Sequence, residues 1–315
     1  EDVCVDFHGF SRQAARSVHP HFRAPRHVDP RHRVNISEWR DHAMRKLADT
    51  TETAALDAEL LLAGVLGQSR AWPRSHGDTA LSPADRDTLQ SWLEQRCDHV
   101  PLAYLTGEQA FWTLTLTVTP GTLVPRPETE HLVEQALTRI PPDTPIDVAD
   151  LGTGSGAVAL AIASERPQAQ VVATDLSEAA LAVARDNAKR LGISNVRFRH
   201  GDWFDALPGM RFDVIASNPP YVEAGFTGLD TTLRHEPRDA LAAGDDGLDD
   251  IRRIVATAGA NLRAGGHLLL EHGHRQGPAV SGILLAANFQ AVDTIPDLAG
   301  HDRITTAQWP GSSPD

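Results

Sequence analysis

From residue 145 to residue 309, short apolar runs alternate with stretches of helical periodicity, and few folds accommodate that order. The runs are 146–151, 171–175, 196–200, 213–217, 267–271, 289–293 and 303–309. Helical patterns occupy 157–164, 249–264 and 276–287, and another helix opens at Ser177-Glu178. Near-continuous Val, Ile, Leu and Ala marks strands buried on both faces, the habit of parallel strands covered by crossover helices. The expectation is an α/β fold with a doubly wound sheet. Such a sheet binds ligands outside the carboxyl ends of its strands, so the residues after each run are the ones to read for chemistry.

The run 213–217 ends abruptly in Asn218-Pro219-Pro220-Tyr221. Proline has no N–H for a sheet ladder, and two in succession stop the strand and stiffen the turn. A side-chain amide and a nearby carbonyl, that of Ser217 or Pro219, are thereby held in fixed directions. Asn218 is uncharged and cannot act as a strong base. Its oxygen beside a backbone carbonyl offers two acceptors, which match a planar –NH2 group with two donors. Tyr221 adds a flat π-face that favours positive charge. A rigid turn with a capping Asn is the plain structural alternative for this tetrapeptide.

The first run leads straight into Gly152-Thr153-Gly154-Ser155-Gly156. Glycines let the backbone turn tightly and approach a ligand closely. Dinucleotide enzymes favour Gly-x-Gly-x-x-Gly around a pyrophosphate, whereas this shorter spacing suits a nucleoside without phosphates. Asp175, at the end of the next run, can accept both hydroxyls of a ribose or cap the helix that follows. Asp202 and Trp203 can offer adenine an edge and a face, with a core Trp as the alternative. After Tyr221 comes a loop of roughly 25 residues containing Glu236-Pro237 and Ala240-Leu241; loops of that length act as lids or binding loops.

Ahead of this half lie three helical patterns. Asn35 or Ser37 caps one carrying Trp39, Ala43 and Leu47, residues 52–67 form a second, and Ser82-Pro83 opens a third reaching Arg96. No motif there carries catalysis, so residues 34–100 are read as a helical substrate-recognition domain. Residues 101–127 form a linker in which Thr alternates with apolar residues over 110–118, and Pro120-Gly121 turns the chain into a hairpin closing at Leu123-Val124. Residues 125–130, Pro-Arg-Pro-Glu-Thr-Glu, start a helix reaching Arg139 at the head of a catalytic domain spanning 128–315. Residues 1–33 hold five of the fifteen histidines but no apolar periodicity, and are read as a disordered or tag-derived extension rather than a metal site.

Charge narrows the partners. A net charge of −13, with only Lys46 and Lys189 as lysines, argues against a protein that grips duplex DNA over a long footprint. It suits a basic protein partner better. Without a run of about 18 apolar residues no transmembrane helix is expected. Without an apolar signal core no secretion is expected either, and the cytoplasm is the default. Cys4 and Cys97 are too few for a disulfide framework or a zinc site.

With Pro101-Leu-Ala-Tyr-Leu-Thr-Gly107, the 125–130 block, Asp150 to Gly156, Asp175, Trp203, Asn218 to Tyr221 and Glu236-Pro237 in hand, the chain resembles the class I, S-adenosylmethionine-dependent methyltransferases. More narrowly, over residues 37–309, it resembles the PrmC/HemK family of protein-(glutamine-N5) methyltransferases. Asn-Pro-Pro-Tyr is shared with DNA and RNA N-methyltransferases; the 125–130 block is the more selective part. The resemblance implies a Rossmann-like sheet of seven strands, the last antiparallel, behind a small helical bundle and a β-hairpin linker. It implies S-adenosylmethionine as cofactor, held by Gly152, Thr153, Gly154, Ser155, Gly156, Asp175, Trp203 and Asn218. It assigns substrate binding to Asn218, Pro219, Pro220 and Tyr221, with Asn218, Pro219 and Tyr221 catalytic. The implied substrate is the glutamine of the Gly-Gly-Gln motif in class I peptide chain release factors. The competing expectation is an exocyclic-amine N-methyltransferase acting on a flipped DNA or RNA base through the same acceptors. The acidic charge and the lack of a basic target-recognition region weigh against it.

Overall fold

The computed structural model describes residues 34–225 and 231–311, so the expectation for residues 1–33 lies outside it. The N-terminal region comprises α1 (Ile36–Leu47), α2 (Ala54–Leu66), the short α3 (Trp72–Ser75) and α4 (Pro83–Cys97). Its ends follow local rules. Asn35 accepts the Glu38 N–H at 2.9 Å while Glu38 returns a bond to the Asn35 N–H, a capping box that fixes where α1 begins. Gly67 closes α2 at φ 61, a left-handed value that costs glycine little. Trp39, Leu47, Leu61, Leu89 and Leu93 pack into a core of their own. Within it Asp57 and Arg96 pair at 2.7 Å, both buried.

After α5 (Leu102–Thr106) comes a hairpin of β1 (Glu108–Phe111) and β2 (Leu114–Thr117). This corrects the expected linker: residues 110–118 are not one strand, and the hairpin turns at Trp112-Thr113 instead of Pro120-Gly121. Trp112 sits at φ 55 and gives its N–H to Glu130 at 2.8 Å. A tertiary contact therefore fixes a bend that a two-residue alternation cannot reveal.

Then follow α6 (Glu130–Leu137), β3 (Asp147–Leu151), α7 (Ala157–Glu165), β4 (Gln170–Asp175), α8 (Glu178–Leu191), β5 (Val196–His200) and β6 (Phe212–Ser217). The chain ends with α9 (Asp249–Asn261), β7 (Leu262–Glu271), α10 (Gly277–Ala286), β8 (Gln290–Pro296) and β9 (Asp302–Gln308). The seven strands lie in the order β5-β4-β3-β6-β7-β9-β8, and β9 runs antiparallel to both its neighbours, as the resemblance implies. Val148, Val214 and Ala216 face α6 and α7, whereas Ala149, Leu151 and Ile215 face α9 and α10. Both faces of the sheet's centre are covered, which is why its runs carry apolar residues at successive positions rather than at every second one.

Strand β7 begins at Leu262 rather than at the expected residue 267. Leu262 pairs with Phe212, a bulge containing Gly265 at φ 80 intervenes, and pairing resumes at His267 and Val214. Glycines that read as a helix stop are thus inside a bent strand. The winding reverses between β3 and β6, the place where open sheets of this kind bind ligands. Leu151 lies opposite Ser217, so the glycine loop and Asn218 leave the sheet side by side. Among the described residues no helix is long and apolar enough to cross a membrane.

Candidate active site

Gly152, Gly154 and Gly156 have φ values of 73, 56 and 89, all left-handed, so the loop after β3 takes a path closed to other residue types without strain. Two N–H groups, those of Gly152 and Thr153, donate to the Thr174 carbonyl at 2.9 Å each and pin the loop to β4. Asp150 holds it from beneath: one oxygen accepts the Thr153 hydroxyl at 2.6 Å and the Ala159 N–H at 3.1 Å. Burial pushes this carboxyl up to about 7, and those two bonds work against the rise.

At the end of β4, Asp175 accepts the Gly154 N–H and the Ser177 N–H, each at 2.8 Å. Burial raises its pKa, opposed by these N–H bonds and by His200 on β5. A carboxylate has about four acceptor positions, so these bonds leave capacity for a ligand. Trp203 adopts φ 45 in the turn after β5, and its ring comes so close to Gly152 that a Cβ there would stand 3.2 Å from it. Arg253 of α9 ties this end together by pairing with Asp202 and, at 3.3 Å, with Asp250.

On β6, the Ser217 hydroxyl donates to the Leu151 carbonyl at 2.8 Å, and the chain then turns through the two prolines. Asn218 donates from Nδ2 to the Thr129 hydroxyl oxygen at 3.1 Å, which leaves its Oδ1 facing the other way. Among the described residues nothing donates to that oxygen. Tyr221 donates its hydroxyl to Glu271 at 3.3 Å. After Tyr221 the described residues include short helical turns at Thr231–His235 and Arg238–Ala240 and a bridge between Val222 and Ala242. This stretch is clasped to the linker by Glu236, which is buried, accepts the Val124 N–H at 3.0 Å and pairs with Arg126.

These elements enclose a cleft of about 400 Å³ lined by Gly152, Gly154, Asp175, Trp203, Asn218 and Pro220 from the expected set. Thr153, Ser155, Gly156, Pro219 and Tyr221 are not on its wall. Thr153 and Ser155 are buried behind it, where they shape the loop. The linker adds Gly121, Thr122 and Leu123, and the 236–240 turn adds Pro237, Asp239 and Ala240.

This geometry has known relatives. A family model described as PrmC N-terminal domain matches residues 38–107, and one described as Methyltransferase small domain matches residues 129–244. The release factor glutamine methyltransferase of Xylella fastidiosa (strain Temecula1) is 51% identical over 265 residues, covering 84% of this chain and 96% of its own length. That of Pseudomonas aeruginosa is 48% identical over 258 residues, covering 82% and 93%. That of Escherichia coli (strain K12) is 42% identical over 277 residues, covering 88% and 99%. The chain belongs to the PrmC family. It is a methyltransferase, and its seven-stranded sheet with an antiparallel last strand is the class I arrangement.

Within the PrmC fold, sequence reasoning missed Thr129 and Glu271 as partners of the Asn-Pro-Pro-Tyr turn. Thr129 lay inside the 125–130 block, which read on its own as a helix start. Glu271 carried a usable signal: an acid that ends the run Leu268-Leu269-Leu270, at the sheet edge where ligands bind.

Proposed function

We propose that this chain transfers a methyl group from S-adenosylmethionine to the side-chain amide nitrogen, N5, of the glutamine in the Gly-Gly-Gln motif of class I peptide chain release factors. Membership of a family whose relatives are named for release factor glutamine methylation supports the substrate. The observation that carries the chemistry is Asn218. With Nδ2 given to Thr129, its Oδ1 is left as an oriented acceptor between two prolines and the glycine loop. A translation factor as substrate places the reaction in the cytoplasm.

The cleft suits the nucleoside part of the cofactor. Left-handed Gly152 and Gly154 open its floor to close approach, and the Thr174 hydroxyl in its wall is buried with no partner among the described residues. Asp175 has acceptor capacity left for ribose hydroxyls, and Trp203 offers a flat face for adenine. S-adenosylmethionine supplies a methyl group on a positively charged sulfur.

An amide nitrogen is a weak nucleophile because its lone pair is delocalised into the carbonyl. Asn218 Oδ1 and the Pro219 carbonyl accept the two N–H bonds of the substrate amide. This orients the nitrogen and favours positive charge growing on it. Tyr221 supports the same charge with its ring face. No strong base is needed, because an N-methylated amide cation is acidic and gives its proton to water.

The test is transfer of labelled methyl from S-adenosylmethionine to a purified class I release factor, beside a control in which the Gly-Gly-Gln glutamine is replaced. Label on the first and none on the second is the expected result. Label on both, or on nucleic acid alone, overturns the assignment. Asn218→Ala is expected to lower kcat by about 10²–10³-fold with cofactor affinity within a few-fold. Turnover retained within a few-fold would remove Asn218 from the mechanism.

A further inference from the structure

Behind the Asn-Pro-Pro-Tyr turn lies a carboxylate with no part in the mechanism so far. Glu271 ends β7, one residue past the pair Ser217–Leu270, and so stands beside Asn218 at the sheet edge. It is 1% exposed and forms no ion pair among the described residues. Arg303, whose charge reaches it, pairs with Asp297 at 3.3 Å instead. One Glu271 oxygen accepts the Tyr221 hydroxyl at 3.3 Å, while Oε2 has no hydrogen bond among the described residues. The Thr129 hydroxyl lies near the same carboxylate and opposes the effect of burial, without a formed hydrogen bond between the two. An unpaired buried carboxylate is a poor choice for stability alone.

Counting protons gives it a role. Thr129 receives a hydrogen from Asn218 Nδ2 at 3.1 Å, so its own hydroxyl proton must point elsewhere. Glu271, which the strand register sets beside Asn218, is a carboxylate within reach of that proton. With the Thr129 proton directed at Glu271, the Thr129 oxygen presents a lone pair to Asn218. The amide must then turn its –NH2 inward and its oxygen outward. Were the Thr129 proton free to rotate, either edge of the Asn218 amide would fit. The other Glu271 contact holds the far end of Tyr221.

We propose that Glu271 is a positioning residue for methyl transfer, acting through the Thr129 hydroxyl to set which edge of the Asn218 amide faces the substrate and through the Tyr221 hydroxyl to hold that ring. The inference rests on the reading of Asn218 as the acceptor of the substrate amide. The groups facing Glu271 are Tyr221, Arg303 and Glu128, with His272 beside it on β7. His272 is buried, with Nδ1 beside the Gly273 carbonyl and Nε2 beside the Thr305 hydroxyl, and burial lowers its pKa. Burial pushes Glu271 up to about 7. Above that pH the carboxylate accepts from both hydroxyls; below it, protonation removes acceptor capacity and kcat falls.

The experiment uses the full chain, labelled S-adenosylmethionine and a class I release factor. Glu271→Gln keeps the shape and is expected to lower kcat about tenfold while KM for S-adenosylmethionine and the unfolding temperature stay near wild type. The wild-type fall in kcat below about pH 7 should flatten in this variant. Thr129→Val should lose about as much as Glu271→Gln, the double variant little more than either, and Thr129→Ser should restore activity. The Thr129 pair decides the matter even if Glu271→Gln proves unstable. A second readout needs no substrate: the Asn218 side-chain amide, assigned by its loss in Asn218→Ala, should exchange slowly with solvent in wild type and fast in Glu271→Gln and Thr129→Val. Wild type that labels no release factor, with that exchange pattern intact, defeats the substrate reading and leaves the positioning role standing. Activity of Glu271→Gln within about twofold of wild type at every pH, or unchanged exchange, overturns the positioning role.

Discussion

In the N-terminal bundle, Asp57 meets Arg96 at 2.7 Å, and Arg96 also reaches the Val100 carbonyl at 3.3 Å. Nearby, Glu59 takes the Arg74 guanidinium through two bonds of 2.6 and 2.8 Å, and that contact holds its carboxyl below the usual range. At the carboxyl edge of the sheet, Asp150 and Glu271 are buried at least as deeply, yet neither forms an ion pair among the described residues. Hydroxyls and N–H groups hold them, and burial pushes both up to about 7. The bundle fastens its buried acids with fixed positive charge. The sheet edge leaves its acids sensitive to protons and to the direction of a hydroxyl. Perturbed, unpaired acids gather at reacting sites and paired ones at structural joints, and Glu236, buried and paired with Arg126 beside the cleft, is a joint of the second kind within the catalytic half.

The largest expected effect tests the structural side of that contrast. Asp57→Ala strands Arg96 in a dry core and should lower unfolding free energy by about 3–5 kcal/mol, read by denaturant titration. Methyl transfer per folded molecule should be unchanged; activity lost with stability intact would break the comparison. Next comes a pH effect. Asp150 has a folded pKa of about 7 against an ordinary 3.8, so its contribution to stability is complete below about pH 4 and is lost as pH rises through 7. Asp150→Asn should remove that loss, shrinking the stability difference between acid and mildly alkaline pH by roughly 2–4 kcal/mol. Glu271 supplies a similar slope that the variant keeps. An unaltered slope would show that Asp150 is ionised in the fold and that the two regions are alike. The smallest effect falls on the ligand alone. Gly152→Ala forces a side chain into φ 73 and 3.2 Å from the Trp203 ring. It should weaken S-adenosylmethionine binding about tenfold, measured by calorimetry, with little change in the bundle.

Much of the fold was legible in the chain. The seven runs of residues 146–309 correspond to the seven strands; the central ones were plainest, because a strand covered on both faces has few polar positions to disguise it, while the edge strands β5 and β8 keep exposed polar residues. Helix starts at Asn35 and Ser82 were readable because capping is local. The misreadings have a common cause. Trp112 turns the hairpin since Glu130 takes its N–H, and Gly265 bends β7 rather than ending α9 since Leu262 finds Phe212 across the sheet. In both places a partner distant in sequence outweighed the local signal.

The candidate site divides in the same way. By itself the sequence determined the strand ends, the left-handed glycine loop and the stiff turn at Asn218, since glycine and proline set backbone geometry wherever they stand. Tertiary structure alone decided which way the Asn218 amide faces. That depends on Thr129, 89 positions away, and on Glu271 at the end of the neighbouring strand. A side-chain amide has two nearly equal edges, and only the partners assembled by folding make one of them the acceptor.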